Sequence, residues 1–446
     1  MHNWTLRPEE KHRILTVPTI NQYLADDSQT TRASTAKLHT HGGADLKPHL
    51  RKTLLAGLTC ITLLGVARAQ PASPMAPTPP MGWSTWNHYA HAISDKLIRD
   101  QADAMVASGM KDAGYLYVHI DGGWEGQRDA AGVLHPIPTF PDMKALGAYI
   151  HSKGLKFGLY SGPGPVTCGG AEASYGHEEQ DAQMFADWGV DYLKYDLCSF
   201  RMIMERDSGG DLAKASAMMK AAYEKMHQAI FKTGRPMLFS FCQYGDDAVW
   251  EWGASVGGDM WRTTDDISDN YDRMIDIANA QAGLARYSGH GHWVDPDFLE
   301  VGNGGMRFEE QKLHFSLWAI VAAPLMAGND LTAMSDETKS ILLNREVIAV
   351  DQDPLGQPGD RVVQAGSLAI WTRPLAGGAM AVALINQLNA ACPITLKLTD
   401  IGWKGPANAR DLWAHKDVGA IDSTYTVDVP RHGVVMLKLI HIPTQR

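Results

Sequence analysis

The run DYLKYD at 191–196 decides how this chain is read. Between Asp191 and Asp196 it is aromatic and aliphatic apart from Lys194, so it reads as a short buried strand with a carboxylate at its end. Working outward, similar runs recur on both sides: MGWST (81–85), YLYVHID (115–121), LKFGLY (155–160), MLFSFC (237–242), DMWRTT (259–264), HWVDPD (292–297) and AIVAAPL (319–325). Helical patterns fill the gaps. SDKLIRDQADAMVASGMKDAG (94–114) has Ser94 as N-cap and Gly114 as C-cap signal, and EEQDAQMFADWGV (178–190) is a second example. Eight strands at a spacing of roughly 30–40 residues, with helices between, is the arithmetic of a (β/α)8 TIM barrel, here spanning 81–355.

After DQDPLG (351–356) the pattern changes. RVVQAG, SLAIWTRPL, GAMAVALIN, ACPITLKLTD, TYTVDV and GVVMLKLI are short, strand-like and separated by turn residues. They predict a C-terminal antiparallel β-sandwich domain over 356–446, with no helix of note and no sign of chemistry.

The N-terminus reads differently from either domain. Arg51-Lys52, the apolar TLLAGLTCITLLGV (53–66) and Ala67-Arg68-Ala69 form the basic, hydrophobic and small-residue parts of a secretory signal. The apolar stretch is short for a membrane span. The expectation is cleavage after Ala69, a signal over 51–69, and an exported protein, periplasmic or extracellular, with no membrane attachment after cleavage. Residues 1–50 are expected to be unstructured or not translated, with the true start near position 50. The Pro-rich stretch 70–80 is a stiff lead-in to the barrel.

Bulk properties narrow the function. With 446 residues the chain has room for a large barrel and a smaller module. A net charge of −10 argues against nucleic acid or an anionic membrane as partner. The 18 His are scattered, and neither HExxH nor paired CxxC occurs, so neither metal nor other cofactor is expected. Oligomeric state is not legible.

In a barrel of this type the chemistry sits at the C-terminal ends of the strands. The polar and aromatic residues there are Trp83, Asp121, Tyr160, Lys194, Asp196, Gln243, Arg262, Asp265, Asp266 and Asp297. An Asp at a strand end is often only a helix cap or turn former. Caps alone would not bring Trp, Tyr, Lys and Arg with them. Two carboxylates presented from different strand ends suit a reaction that needs one ionised and one protonated acid, and glycoside hydrolysis is the leading case.

With those residues in hand, the chain resembles glycoside hydrolase family 27, the α-galactosidase family. The motifs are TPPMGWSTWNHY (78–89), GLKFGLYSGPGPVTCGG (154–170), GHEEQDAQMFADWGVDYLKYD (176–196), WRTTDDI (261–267), GHWVDPDFLEVGN (291–303) and NREVIAVDQDPLG (344–356). The resemblance implies a barrel followed by an antiparallel β domain, and an exo-acting, retaining enzyme without cofactor that removes terminal α-linked galactose from oligosaccharides or polysaccharide side chains. It implies Asp196 as nucleophile and Asp266, rather than its neighbour Asp265, as general acid/base. Asp121, Tyr160, Lys194, Arg262 and Asp297 are expected to hold sugar hydroxyls, Gln243 to face the C2 substituent, and Trp83 to form an aromatic wall. Cys168 and Cys198 match a pair bridged beside the site. Both follow adjacent strands, and export permits the bond. Cys242 is expected to be a free thiol.

Three departures bear on the sugar. In IDGGW (120–124), Gly122 stands where the family has a second Asp contacting the C4 and C6 hydroxyls. Gln243 replaces a common Glu, and Phe298 a common Met. They keep two related readings in view, β-L-arabinopyranosidase and α-N-acetylgalactosaminidase. A carbohydrate-binding barrel without turnover is the reading from another class.

Overall fold

The computed structural model describes residues 75–442; the expected extension 1–50, the signal 51–69 and the first residues of the lead-in lie outside them. Eight parallel strands form one curled sheet: β1 (Met81–Ser84), β2 (Tyr117–Ile120), β3 (Lys156–Ser161), β4 (Tyr192–Asp196), β5 (Leu238–Cys242), β6 (Met260–Arg262), β7 (Trp293–Asp295) and β8 (Leu325–Ala327). Order round the sheet follows the chain, with β8 paired to β1. Leu299, just after β7, bridges back to Ala327 and closes the ring. The result is the expected barrel.

Side chains alternate along each strand, so residues two apart share a face. Tyr117, Tyr192, Leu238, Met260, Trp293 and Met326 form one apolar cluster that fills the barrel lumen. Counting upward by twos from that plug gives Lys194 and Asp196 on β4, Cys242 on β5 and Arg262 on β6. The lumen plug therefore lies beneath the polar residues. Leu193 and Tyr195 have the opposite parity and join the larger core, Tyr195 against Tyr223 of the long helix Leu212–Thr233.

Two expected elements differ. AIVAAPL (319–325) is not the eighth strand: 319–321 finish the helix Phe308–Val321, and the strand starts at Leu325. Ten residues of that helix are buried, because it lies between the barrel and the strands Met380–Asn386 and Gly433–His441. A helix apolar all round has no amphipathic period and imitates a strand in sequence. The helix expected over 94–114 keeps its cap, Ser94 accepting from the Leu97 amide, but breaks into Asp95–Ala107 and Met110–Ala113. Gly109, at φ +87°, makes the break.

The C-terminal region is a sheet of six strands facing a pair, Cys392–Lys397 with Thr424–Val429. Its core holds Val382, Leu384, Leu396, Trp403, Leu437 and Leu439 between the two layers. The six-stranded sheet includes one hairpin absent from the sequence reading, Ala407–Asp411 with Lys416–Ile421. Its residues are mostly polar or small, and Ala407, Ala409 and Ile421 are the only buried ones, so the apolar alternation that marks a strand is weak in sequence. No helix among the described residues is long and apolar enough to cross a membrane.

Candidate active site

A cavity of about 370 Å³ opens at the C-terminal ends of the barrel strands, within the range that holds small ligands. Seven of the nine residues given a catalytic or sugar-binding role from sequence line it: Asp121, Tyr160, Lys194, Asp196, Arg262, Asp266 and Asp297.

At the floor, Asp196 is 4% exposed. Its Oδ2 accepts a hydrogen bond from the Tyr160 hydroxyl at 3.2 Å and its Oδ1 one from the Tyr244 hydroxyl at 2.7 Å. Burial raises the Asp196 carboxyl above its ordinary range, against the nearby Lys194 ammonium and the Tyr244 bond, which favour the anion. Beside it, Lys194 Nζ donates to Asp121 Oδ2 at 2.8 Å, and Asp121 Oδ1 accepts from the Gly122 amide at 2.8 Å. Burial pushes Asp121 up, but Lys194 and the Gly122 amide outweigh it and hold the carboxyl below the usual range. Removing one partner of such a buried pair costs about 3–5 kcal/mol.

On the opposite side, Arg262 is 2% exposed. Its Nη2 reaches Asp297 Oδ2 at 2.8 Å, Asp266 Oδ1 at 3.0 Å and the Thr264 carbonyl at 3.1 Å. Asp297 also accepts from the Ile267 amide at 2.8 Å, tying the loop after β6 to the end of β7. Asp266 differs from every other carboxylate here, because its side chain is 65% exposed. Asp265 is exposed and does not line the cavity.

A disulfide joins Cys168 to Cys198, Cα atoms 5.0 Å apart, and pins the loop after β3 to the residue two past Asp196. One cluster of three metal-ligating side chains occurs among the described residues, Cys168, Cys198 and Asp196, but its two sulfurs are spent on each other. Cys242 is free and buried, its sulfur 3.6 Å from Arg262 Nη1.

The two remaining residues lie elsewhere. Trp83 is fully buried on the helix-facing side of β1, its indole N–H donating to the Asn329 carbonyl at 2.7 Å. It is core, and Trp86 supplies the aromatic surface in the cavity instead. Gln243 is fully buried and donates to the Arg262 carbonyl at 3.2 Å, so its side chain does not reach the cavity. Tyr244 reaches it instead, from a backbone with φ +65°. Strand alternation accounts for Trp83 and Gln243: the lumen-side residues are Gly82 and Ser84 on β1 and Ser240 and Cys242 on β5, so Trp83 and Gln243 have the opposite parity. Trp86 and Tyr244 follow just past those strand ends, where the chain leaves the extended conformation.

A closed barrel with paired ions, a buried carboxylate and an exposed one at its strand ends is the arrangement expected of a glycoside hydrolase. Residues 78–353 match the family model described as alpha galactosidase A, and 365–439 match that of the alpha galactosidase C-terminal beta sandwich domain. The chain belongs to this α-galactosidase family, glycoside hydrolase family 27. It is 43% identical to alpha-galactosidase A of Cellvibrio japonicus (strain Ueda107) over 418 residues, covering 87% of this chain and 99% of that protein. Among solved structures it is similar to α-galactosidase I from Mortierella vinacea, at 38% identity and TM-score 0.77, covering 82% of this chain and 97% of the other. It is also similar to the α-galactosidase from Saccharomyces cerevisiae solved with raffinose, at 28% identity and TM-score 0.73, covering 82% and 98%.

Proposed function

We infer that this chain, a glycoside hydrolase of the α-galactosidase kind, works by double displacement with Asp196 as nucleophile and Asp266 as acid/base. The observation that carries this reading is the contrast between two carboxylates on one cavity. Asp196 is buried and held by two phenols, whereas Asp266 is open to solvent and touches Arg262. A nucleophile gains from being fixed and dehydrated, while an acid/base must exchange protons with water in each cycle.

In the first half-reaction Asp196 attacks the anomeric carbon. The bond from that carbon to the leaving oxygen breaks, and the proton of Asp266 goes to that oxygen. In the second, a water molecule gives a proton to Asp266 and attacks the same carbon, and the electron pair of the ester bond returns to Asp196. The Asp121–Lys194 and Arg262–Asp297 pairs surround the space with fixed donors and acceptors for sugar hydroxyls. Galactosides, as oligosaccharides or polysaccharide side chains, are the proposed substrates. Export through the signal at 51–69 is part of the same reading, and the Cys168–Cys198 bond supports an oxidising compartment.

One observation favours a second sugar. Gly122 lines the cavity without a side chain, where an added Cβ would lie 3.3 Å from the Tyr160 ring. A pocket lacking an acceptor at this point fits a pyranose without the C6 arm, an arabinopyranoside. Initial rates on nitrophenyl α-galactoside, β-L-arabinopyranoside and α-N-acetylgalactosaminide test the assignment. The galactoside is expected to lead, and a larger kcat/KM on either rival would replace it.

A further inference from the structure

Tyr244 was not among the residues that the sequence offered, yet its hydroxyl makes the shortest contact to the buried carboxylate. The bond to Asp196 Oδ1 is 2.7 Å, the length of a charge-assisted O–H···O bond, whereas Tyr160 stands 3.2 Å from Oδ2. The backbone is bent to make it. Tyr244 sits at φ +65°, a region that non-glycine residues occupy at a cost and that recurs at functional sites. Gly245, at φ +84°, continues the turn where a Cβ would meet the Thr263 carbonyl at 2.3 Å. The ring is further fixed by Arg262 at 5.8 Å and Arg201 at 5.1 Å from its centroid.

We propose that Tyr244 is a catalytic residue that holds Asp196 Oδ1 through both half-reactions and makes this carboxylate a better leaving group when the glycosyl-enzyme is hydrolysed. The proposal rests on Asp196 being the nucleophile. With Oδ1 committed to the shorter bond, Oδ2 is the oxygen that bonds the anomeric carbon, and Tyr160 releases it. In the ester Oδ1 is the carbonyl oxygen, and the donor remains on it. When water displaces Asp196, the returning electron pair spreads over both oxygens, and the Tyr244 bond strengthens as that charge grows. Tyr244 keeps its proton throughout, since burial, first of all, pushes its phenol well above the ordinary range.

A donor on the carboxylate makes it less basic, hence a weaker nucleophile and a better leaving group. Its loss therefore falls on the second half-reaction. In Tyr244→Phe the deglycosylation rate, and with it kcat, should fall about tenfold to a hundredfold, while kcat/KM changes less. The pH profile gives a second readout. Asp196 is faced by Lys194 on its own strand, Asp121 from β2, Tyr160 from β3, Cys242 and Tyr244 from β5 and Asp266 after β6. Of these, Tyr244→Phe removes one donor that favours the anion, so the carboxyl rises and the acidic limb of kcat/KM moves to higher pH.

The experiment is rapid-quench turnover of an activated aryl α-galactoside by wild type, Tyr244→Phe and Tyr160→Phe, with intact-mass analysis of the quenched protein. The expected result is an aryl burst and a hexosyl adduct that is largest in Tyr244→Phe, smaller in Tyr160→Phe, and located on Asp196 by peptide mapping. Equal falls in kcat and kcat/KM without extra adduct, an unmoved acidic limb, or a larger adduct in Tyr160→Phe would each overturn the role given to Tyr244. An adduct mapped to another residue would instead overturn Asp196 as nucleophile.

Discussion

The two carboxylates at the mouth of this barrel live in opposite surroundings. Asp196 ends β4 over the lumen plug, is 4% exposed, and accepts from two phenols. Asp266 stands four residues beyond the end of β6 on a loop, with a side chain 65% exposed and a single ionic partner. On the roles proposed above, a regular element fixes the group that bonds carbon, while a loop carries the group that trades protons with water. Strand geometry and burial fix the first to a narrow set of positions. The second needs access and freedom more than rigidity.

The largest effect is expected of Asp196→Asn. An amide cannot form the glycosyl ester, so kcat should fall at least about 10³-fold, a loss of about 4 kcal/mol. The fold should survive, and the melting temperature should equal or exceed that of wild type. Burial raises the Asp196 carboxyl, so the ionised group is a cost to the folded state above its pKa, and the amide removes that cost. Residual activity of more than a few per cent, with the asparagine verified by mass, would remove Asp196 from the mechanism.

Asp266→Asn should act through the leaving group. Substrates with poor leaving groups should lose about 10²–10⁴-fold, activated aryl galactosides far less in the first half-reaction. Asp265→Asn should leave that dependence near wild type, because Asp265 does not line the cavity. A Brønsted plot of kcat/KM against leaving-group pKa for the three proteins checks this. A steep line for Asp265→Asn and a flat one for Asp266→Asn would exchange the two residues.

Stability sharpens the contrast from the floor side. The Cys168–Cys198 bond spans 30 residues and anchors the segment just after Asp196. Chain-entropy arguments give it about 3–4 kcal/mol. The double variant Cys168→Ser, Cys198→Ser should lose a large part of that in thermal or denaturant unfolding. It should also lose kcat, because the Asp196 end of β4 becomes less fixed. Unchanged kcat would mean that the strand alone positions Asp196.

The smallest expected effect comes from Gly122→Asp, which adds a carboxylate on the floor side. Its Cβ would pack 3.3 Å from Tyr160, close enough that the ring must yield a few tenths of an ångström. A hydrogen bond from a galactose hydroxyl to this acid should raise kcat/KM on galactosides about tenfold to a hundredfold. The gain should be less on an arabinopyranoside if the contact is to the C6 hydroxyl, and equal on both if it is to C4. A fall on galactosides would show that displacing Tyr160 outweighs the new bond, and that the pocket is shaped around glycine.

How much of this was legible in sequence depended on periodicity. DYLKYD holds a short apolar run with a carboxylate at its end, so β4 and Asp196 are legible, as are the motifs around Arg262 and Asp297. AIVAAPL imitates an eighth strand because the stretch 313–321 of the Phe308–Val321 helix is buried on every side and carries no period. Trp83 and Gln243 have the residue types of a sugar site but the wrong parity: each lies one position off the lumen face, next to Ser84 and Cys242. Trp86 and Tyr244, just past the same strand ends, do line the cavity, and their turned backbone has no period that shows it in sequence. The exposure of Asp266 was not legible, because a loop after a three-residue strand has no pattern that fixes its side chains.

Double displacement requires a covalent intermediate between two displacements at one carbon. That is tested most directly by the anomer of the sugar first released from an aryl α-galactoside, followed by proton NMR before mutarotation. Two inversions give net retention, so the α-anomer should appear first and relax toward the equilibrium mixture. If the β-anomer appears first, water attacks the substrate directly, Asp196 forms no ester, and the division of labour between the two carboxylates is wrong.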